Sequence, residues 1–397
     1  MPHKSLDEVV APRKDMKAGE EMKKIIRNCL SIIIVCVMAL QLISCDTTGR
    51  EDDKLKTVSA TVVKIEKYGH AVLNVTTKDF MSVGYELGDV VLISLESGEY
   101  TMPFYDGYYS NPGKLLLRGT NQEDNIAICI NYGDFSAINN VNIGDRVKIN
   151  IFEKAGMRAI QELYALQYSN DLNDYPNTAT FTNFRAVTAG RIKEGKLYRT
   201  ASPINNENGR ANFANNFIES VGVATVLNLS DSYQDVEKYL ANTNCNSEYY
   251  RNLYANGKVI AVDLTGNFYS DEFAYSVVEG LNFLAKNEPP YCIHCTEGKD
   301  RTGFTAMILE ALLGATLDEI IDDYMLSFYN YYGINKDKEP KRYQAVLNVN
   351  LMEMLSHVTG ESVERLYDIN LETSITSYLI GVGMAQNDIL TLKEKLS

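Results

Sequence analysis

Residues 291–304 have the sequence YCIHCTEGKDRTGF, and no other stretch says as much about the architecture. Its apolar beginning follows two prolines and predicts a short strand over residues 291–294, while residues 302–313 have the apolar spacing of a helix. A strand, a glycine-containing turn and a helix in direct succession are typical of an α/β layered fold. The turn from Cys295 to Arg301 opens the helix, so its backbone N–H groups and the positive end of the helix dipole can bind an anion.

Cys295 and Arg301 are the chemical groups of this turn that the sequence singles out. A free cysteine has a pKa of about 8.5, but a thiol at a helix N-terminus near a cation can have a pKa of roughly 3.5 to 7.5. Cys295 is therefore predicted to be a thiolate nucleophile at neutral pH. The planar guanidinium of Arg301 can hold two phosphoryl oxygens and stay with them through a trigonal-bipyramidal transition state, which lysine could not do.

Residues 294–303, HCTEGKDRTG, resemble the signature Cys-x-x-x-x-x-Arg of the protein tyrosine phosphatase superfamily, with His before it and Ser/Thr-Gly after it. The form His-Cys-x-x-Gly-Lys-Asp-Arg-Thr-Gly is most like the loop of the bacterial tyrosine and lipid phosphatases. Further similar stretches occur over about 215 residues, at 183–185, 195–201, 223–229, 323–324 and 377–396. Ala186 departs from the pattern, because that bacterial family often has aspartate there.

The resemblance implies a role for each residue of the loop. Cys295 would attack phosphorus, Arg301 would bind the phosphoryl group, and Thr302 would ease the loss of the thiolate during hydrolysis. His294 would orient the loop and tune the thiol. The remaining phosphate-binding positions implied are Thr296, Glu297, Gly298, Lys299 and Gly303.

A general acid must protonate the leaving oxygen, and the sequence offers two candidates. Asp300 stands beside the arginine, where the resembling bacterial enzymes have an aspartate with that role or one close to it. Asp263 lies 32 residues before Cys295 at the predicted end of a strand, as the acid does in the dual-specificity branch. We prefer Asp300, and Asp263 could instead cap a turn.

Other charged residues near the loop have more ordinary interpretations. Lys299 and Glu297 lie on the rim of the loop, and Lys299 either meets a second substrate charge or pairs with a nearby carboxylate. Asp322 and Asp323 are adjacent on a predicted helix, where neighbours point apart, so we expect a solvated face and no acid/base pair.

Two competing interpretations concern the same loop. Cys292 and Cys295 form a Cys-x-x-Cys pattern, which with His294 could indicate a redox pair or a zinc site. No second ligand pair follows, and Cys292 lies in the apolar run of a strand. The loop could also bind phosphate without catalysis.

The N-terminal region has the layout of a secretory signal. Residues 29–43 are uncharged and apolar, basic residues precede them, and the run is short for a membrane-spanning helix of about 20 residues. It ends in Leu-Ile-Ser-Cys at residues 42–45, which resembles the bacterial lipobox, whose cysteine is lipidated. We therefore expect a dispensable extension at 1–21, a lipoprotein signal peptide at 22–44 and a lipid on Cys45, placing the protein in the bacterial cell envelope.

Charge and cysteine usage limit the possible partners. Without residues 1–44 the chain has 31 basic and 47 acidic residues, a formal charge of −16. Nucleic acid is an unsuitable partner for a chain without a basic footprint, and attachment to a membrane must come from the lipid. The sparse cysteines predict no disulfide framework.

The pattern along the chain predicts two folded regions. Residues 45–56 are polar and form a tether, and 57–155 form a small all-β barrel or sandwich that acts as a spacer or a binding module. The β-branched runs that indicate its strands are residues 57–65, 71–75, 90–94, 114–117, 126–130 and 146–151. Residues 156–180 contain a helix, predicted over 153–168, and a linker.

Residues 181–397 form the second region, for which the resemblance implies a mixed sheet flanked by helices, as in tyrosine phosphatases. Strands are predicted at 224–229 and 259–264, helices at 271–284 and 317–329, and a helical tail at 362–397. The expected function is phosphomonoester hydrolysis through a phosphocysteine, by a protein tyrosine or dual-specificity phosphatase. Its substrate would be a phosphorylated protein, or alternatively a phosphoinositide or inositol phosphate, and thiolate, arginine and acid require no metal or cofactor.

Overall fold

The structure is a computed structural model that describes residues 57–242 and 247–397. The predicted extension, signal peptide, lipidated Cys45 and tether lie outside these residues. Leu55–Ser397 form one compact unit. Within the described ranges, no helix combines the length and the apolar character needed to cross a membrane.

The first region is a closed barrel, which resolves the choice between barrel and sandwich. Its strands pair in the order β1-β2-β6-β5-β4-β3-β7, and β7 closes the ring on β1. They are Val58–Ile65 (β1), Ala71–Thr76 (β2), Val90–Leu95 (β3), Gly98–Tyr105 (β4), Leu115–Arg118 (β5), Asn125–Ile130 (β6) and Arg146–Glu153 (β7). The β4 strand is absent from the sequence prediction.

Alternation along the strands supplies the barrel core. In β7, Val147 and Ile149 point inward and are buried, whereas Arg146 and Lys148, which alternate with them, are exposed. A period of two places alternate side chains on opposite faces of a sheet, so one face packs and the other meets water.

The second region contains a five-stranded sheet in the order β11-β10-β12-β9-β8. Its strands are Arg185–Ala186 (β8), Leu197–Thr200 (β9), Thr225–Asn228 (β10), Val259–Ala261 (β11) and Tyr291–His294 (β12). All pairs except β8 with β9 are parallel. Every residue of β10 and β12 is buried, as expected for central parallel strands covered on both faces.

The described helices include two within the barrel region, and the others follow the last barrel strand along the chain. In chain order the described helices are Thr77–Ser82 (α1), Phe135–Asn139 (α2), Arg158–Tyr164 (α3), Thr178–Phe181 (α4), Ala211–Ser220 (α5), Tyr233–Ala241 (α6), Glu248–Ala255 (α7), Asp271–Lys286 (α8), Asp300–Leu312 (α9), Leu317–Tyr332 (α10), Pro340–Val346 (α11), Glu353–Thr359 (α12), Leu371–Val382 (α13) and Gln386–Leu396 (α14). Short 3₁₀ turns occupy Leu172–Asp174 and Val363–Arg365, and a π-helical turn occupies Leu347–Met352.

Three sequence predictions of element bounds are wrong. The helix predicted over residues 153–168 is only α3, because β7 continues to Glu153 and pairs there with Val90. The predicted strand 259–264 ends at Ala261, and Asp263 then takes a left-handed conformation with φ of 43°. The predicted helical tail is broken at Gly383, whose φ of 112° ends α13.

Candidate active site

Cys295 lies where the central strand β12 meets the N-terminus of α9. The strand ends at His294, the helix begins at Asp300, and the Cys295 side chain is only 3% exposed. The partial positive charge of a helix N-terminus favours a thiolate or a phosphate at this point. Strand and helix thus position the residues that the loop sequence predicted.

The carbonyl groups of the loop are hydrogen-bonded from outside. Ser202 N–H donates to the Thr296 carbonyl over 3.1 Å, and the Tyr331 hydroxyl donates to the Glu297 carbonyl over 2.6 Å. The Gly298 carbonyl accepts hydrogen bonds from Arg199 Nη2 at 2.9 Å and from the Asn183 side-chain amide at 3.0 Å. The Lys299 backbone carbonyl accepts a second hydrogen bond from the same guanidinium of Arg199. Because C=O and N–H point in opposite directions across a peptide plane, these bonds turn the amide N–H groups toward the centre of the loop.

Two glycines permit the close packing of this loop. Gly298 has a φ of 66°, and a Cβ atom on it would lie 2.3 Å from the Thr200 carbonyl oxygen. A Cβ on Gly303 would lie 2.8 Å from the ring of Tyr324 on α10. Any other residue at either position would displace the loop or the first turn of α9.

Arg301 is held at the mouth of the loop by two contacts. Its Nη1 donates to the Leu264 carbonyl over 3.0 Å, and its Nη2 donates to the Thr296 hydroxyl over 3.3 Å. Thr302 is fully buried, and its hydroxyl has no partner among the described residues. An unpaired buried hydroxyl next to Arg301 is free to bond a reacting group.

His294 is buried at the end of β12, and burial lowers its pKa to about 3. The ring is therefore neutral at pH 7, and its Nε2 lies 3.3 Å from the Tyr250 hydroxyl.

Cys292 is also fully buried, which raises its pKa and keeps its thiol protonated. In the part of the chain that the structure describes, Cys129, Cys292 and Cys295 form no disulfide, and no cluster of three or more potential metal ligands is present.

Asp300 begins α9 and faces a cleft, with 48% of its side chain exposed there. The surrounding protein desolvates the carboxylate and raises its pKa, although the Lys299 ammonium 3.7 Å away opposes this shift. Lys299 also pairs with Glu297 at 3.1 Å, so the structure shows the carboxylate partner that was one of two possibilities for this lysine. A carboxyl group with a raised pKa is suited to donate a proton near neutral pH.

Asp263 directly precedes Leu264, whose carbonyl accepts a hydrogen bond from Arg301. Asp263 is exposed, and the cleft that Asp300 lines includes Leu264 but not Asp263.

Asp231, which the sequence interpretation missed, lies just past the carboxyl end of β10 and is 5% exposed. Burial raises the pKa of the Asp231 carboxyl, and the side chains of Asn228 and Ser230 and the nearby Arg301 offset only part of this rise. The position of Asp231 after a central parallel strand is the signal that could have identified it.

The expectation that Asp323 is solvated is wrong. Its side chain is 13% exposed and pairs with Arg185 at 2.7 Å and with the fully buried Arg199. These two arginines depress the pKa of the Asp323 carboxyl despite its burial. Arg199 in turn bonds the Gly298 carbonyl, so an ion pair behind the loop positions it. Asp322, the neighbour of Asp323, is exposed as expected.

The C-terminal end of the loop borders a cleft of about 1420 Å³ between the barrel and the α/β region, and Cys295 is not among the residues that line it. Lys299, Asp300 and Arg301 line one side. Tyr164 from α3 and Asn350 from the π-helical turn line other parts, and π-helical turns are frequent at functional sites.

Comparisons with known proteins bear on the family of the chain. Residues 171–397 match the model of a family described as the tyrosine phosphatase family. A protein of Cupriavidus necator, provisionally named a tyrosine-protein phosphatase, is 38% identical over 69 residues. That match covers 17% of this chain and 23% of the relative's length, so this chain spans about a quarter of the curated relative.

Two solved structures are similar at a low level. The core catalytic domain of a PP-IP phosphatase from S. cerevisiae, in complex with citrate, is 21% identical and has a TM-score of 0.25, covering 42% of this chain and 93% of that one. An uncharacterized conserved protein from Thermotoga maritima is 20% identical with a TM-score of 0.22, covering 27% of this chain and 40% of that one. Because the family model matches more than half of the chain, the protein belongs to the tyrosine phosphatase family.

Proposed function

We propose that the protein hydrolyses phosphomonoesters through a phosphocysteine intermediate on Cys295, as a protein tyrosine or dual-specificity phosphatase. The observation that carries this proposal is the loop after β12. Its carbonyls are bonded from behind, Cys295 sits at its start, and Arg301 is held at its mouth. This arrangement provides a nucleophile and a set of anion donors in one turn.

The reaction has two steps. The Cys295 thiolate attacks phosphorus, the bond from phosphorus to the leaving oxygen breaks, and Asp300 gives that oxygen its proton. Water then attacks the phosphocysteine and passes a proton to the Asp300 carboxylate, and the phosphorus–sulfur bond breaks to release phosphate and the thiolate. The Thr302 hydroxyl, buried and unpaired among the described residues, supports the sulfur as it leaves. Arg301 keeps hold of the phosphoryl oxygens through both steps.

The choice of Asp300 as the acid rests on access and on pKa. It lines the cleft, and its raised pKa keeps more of the carboxyl protonated near neutral pH than an ordinary aspartate would be. Asp263 does not line the cleft, which supports the same choice.

We also propose export and attachment to the cell envelope through a lipid on Cys45. The support is the signal-like run at residues 29–43 and the lipobox-like residues before Cys45. The substrate would then be a phosphorylated protein or another phosphomonoester met on the outer side of the cytoplasmic membrane.

The test is turnover of 4-nitrophenyl phosphate by purified residues 45–397. We expect activity that persists in EDTA, is inhibited by vanadate and is abolished by Cys295→Ser. Cys292→Ala is the matched control, because that thiol lies three positions earlier inside β12 and should leave turnover nearly unchanged. Activity that survives Cys295→Ser, or that EDTA removes and zinc restores, would contradict the mechanism.

A further inference from the structure

The barrel supplies a wall of the cleft that Lys299, Asp300 and Arg301 border. Residues from two of its turns, Tyr68 and Tyr132, line the same cavity as Arg301, together with His70 and Tyr108. We define these four residues, Tyr68, His70, Tyr108 and Tyr132, as the barrel face. The barrel face and Arg301 therefore border one continuous cavity.

The barrel face is built on a network of polar groups around the buried His70. His70 is 6% exposed, and its Nδ1 lies 3.2 Å from Glu66 and 3.1 Å from the Tyr108 hydroxyl. Arg118 donates to that hydroxyl and pairs with Glu66 at 3.1 Å. Such a network fixes the orientation of the two rings at the cleft, whereas apolar residues would have sufficed for stability alone.

The two exposed tyrosines stand on turns that pack against each other. Tyr68 is 66% exposed and Tyr132 is 70% exposed. The Ser136 N–H donates to the Gly69 carbonyl, which joins the turn of Tyr68 to the segment that follows Tyr132. Tyr132 has a φ of 53°, a conformation that a bulky residue seldom adopts and that is often kept at binding sites. Exposed, rigid aromatic rings are typical anchors of binding surfaces.

The charges around the cleft restrict what the face can bind. Lys299 is already paired with Glu297 and Asp300, and the carboxylates of Asp134 and Asp300 line the cavity. Lys67 and Arg301 line the cavity as well, so the two carboxylates face two cations besides the paired Lys299. One phosphate at Arg301 with an aromatic leaving group fits this lining, because three of the four residues of the barrel face are tyrosines.

We propose that the barrel face is a second subsite, which binds an aromatic side chain flanking the phosphorylated residue of a peptide substrate. This inference rests on the proposed phosphatase function. The barrel then acts as a specificity module that shares the substrate with the catalytic loop.

The experiment compares a small and a large substrate. 4-Nitrophenyl phosphate fills only the loop, and a phosphotyrosyl peptide with aromatic residues on both sides of the phosphotyrosine reaches the barrel. We expect Tyr132→Ala and Tyr68→Ala each to lower kcat/KM for the peptide by about 3- to 10-fold, the usual effect of one aromatic contact, with no change for 4-nitrophenyl phosphate. Tyr275→Ala is the matched control, since this tyrosine is 60% exposed but does not line the cleft.

The substitutions also have a readout that does not depend on turnover. Binding of the same peptide to Cys295→Ser protein, followed by fluorescence anisotropy, should weaken by a similar factor when Tyr132→Ala is added. This separates failure of the subsite from failure of the proposed reaction. Equal losses on both substrates, unchanged peptide binding, or faster turnover of inositol hexakisphosphate than of the peptide would each overturn the proposal.

Discussion

Asp323→Asn tests whether the ion pair behind the catalytic loop stabilises the protein. The wild-type carboxylate neutralises two guanidinium groups, of which Arg199 is fully buried and Arg185 is 11% exposed. Removing one partner of a buried ion pair costs about 3 to 5 kcal/mol, because it leaves an unpaired buried charge. Glu310 is buried beside Asp323, which helps to keep the pKa of Glu310 raised. In the variant Glu310 can ionise and compensate in part, so we expect the lower end of the range.

A loss of about 3 kcal/mol should be measurable by urea unfolding of residues 45–397, followed by circular dichroism at neutral pH. For an α/β region the size of residues 181–397, a loss of about 3 kcal/mol corresponds to a fall in Tm of roughly 6 to 12 °C. Asp322→Asn is the control, since that neighbouring side chain is exposed and its loss should cost less than about 0.5 kcal/mol. Equal effects of the two substitutions, or a loss below about 1 kcal/mol for Asp323→Asn, would refute the reasoning.

The same pair predicts how the difference depends on pH. The pKa of Asp323 in the folded protein is depressed by Arg185 and Arg199, so its contribution is fully present above the unfolded pKa of about 3.9. The contribution is lost as pH falls from that value toward the lower folded pKa. The stability difference between wild type and Asp323→Asn should therefore shrink as pH falls below about 4.

Two further predictions concern the acid and the anchor. Asp300→Asn should slow alkyl and tyrosyl phosphates by about 10²- to 10⁴-fold and 4-nitrophenyl phosphate less, while wild-type kcat/KM should fall as pH rises above the raised pKa of Asp300. Asp263→Asn should show no such dependence on the leaving group. A steep dependence in the Asp263 variant alone would make Asp263 the acid. If neither variant shows a dependence on the leaving group, the acid lies elsewhere, and Asp231 is the next candidate. Cys45→Ala should release the protein from the membrane fraction and block fatty-acid labelling, and unchanged partitioning would instead indicate an uncleaved anchor.

Much of the local structure follows from the sequence because its causes are local. The strand 291–294 agrees exactly with β12, since a short apolar run between prolines and a glycine-containing turn has few alternatives. The β-branched runs likewise predicted six of the barrel strands. The missed strand β4 contains a proline and several polar residues, so its pattern is weak even though all six residues of β3 pair with it.

The sequence by itself determined the loop of Cys295 and Arg301, because the strand, turn and helix that form it are contiguous. Only the tertiary structure decided what lies behind and in front of that loop. Asp323 looked solvated by helical position, yet folding brings it to Arg199, 124 residues away, and buries it. The barrel face likewise reaches the cleft through packing between distant segments. Such contacts depend on how whole elements pack in space, a property that local sequence patterns do not encode.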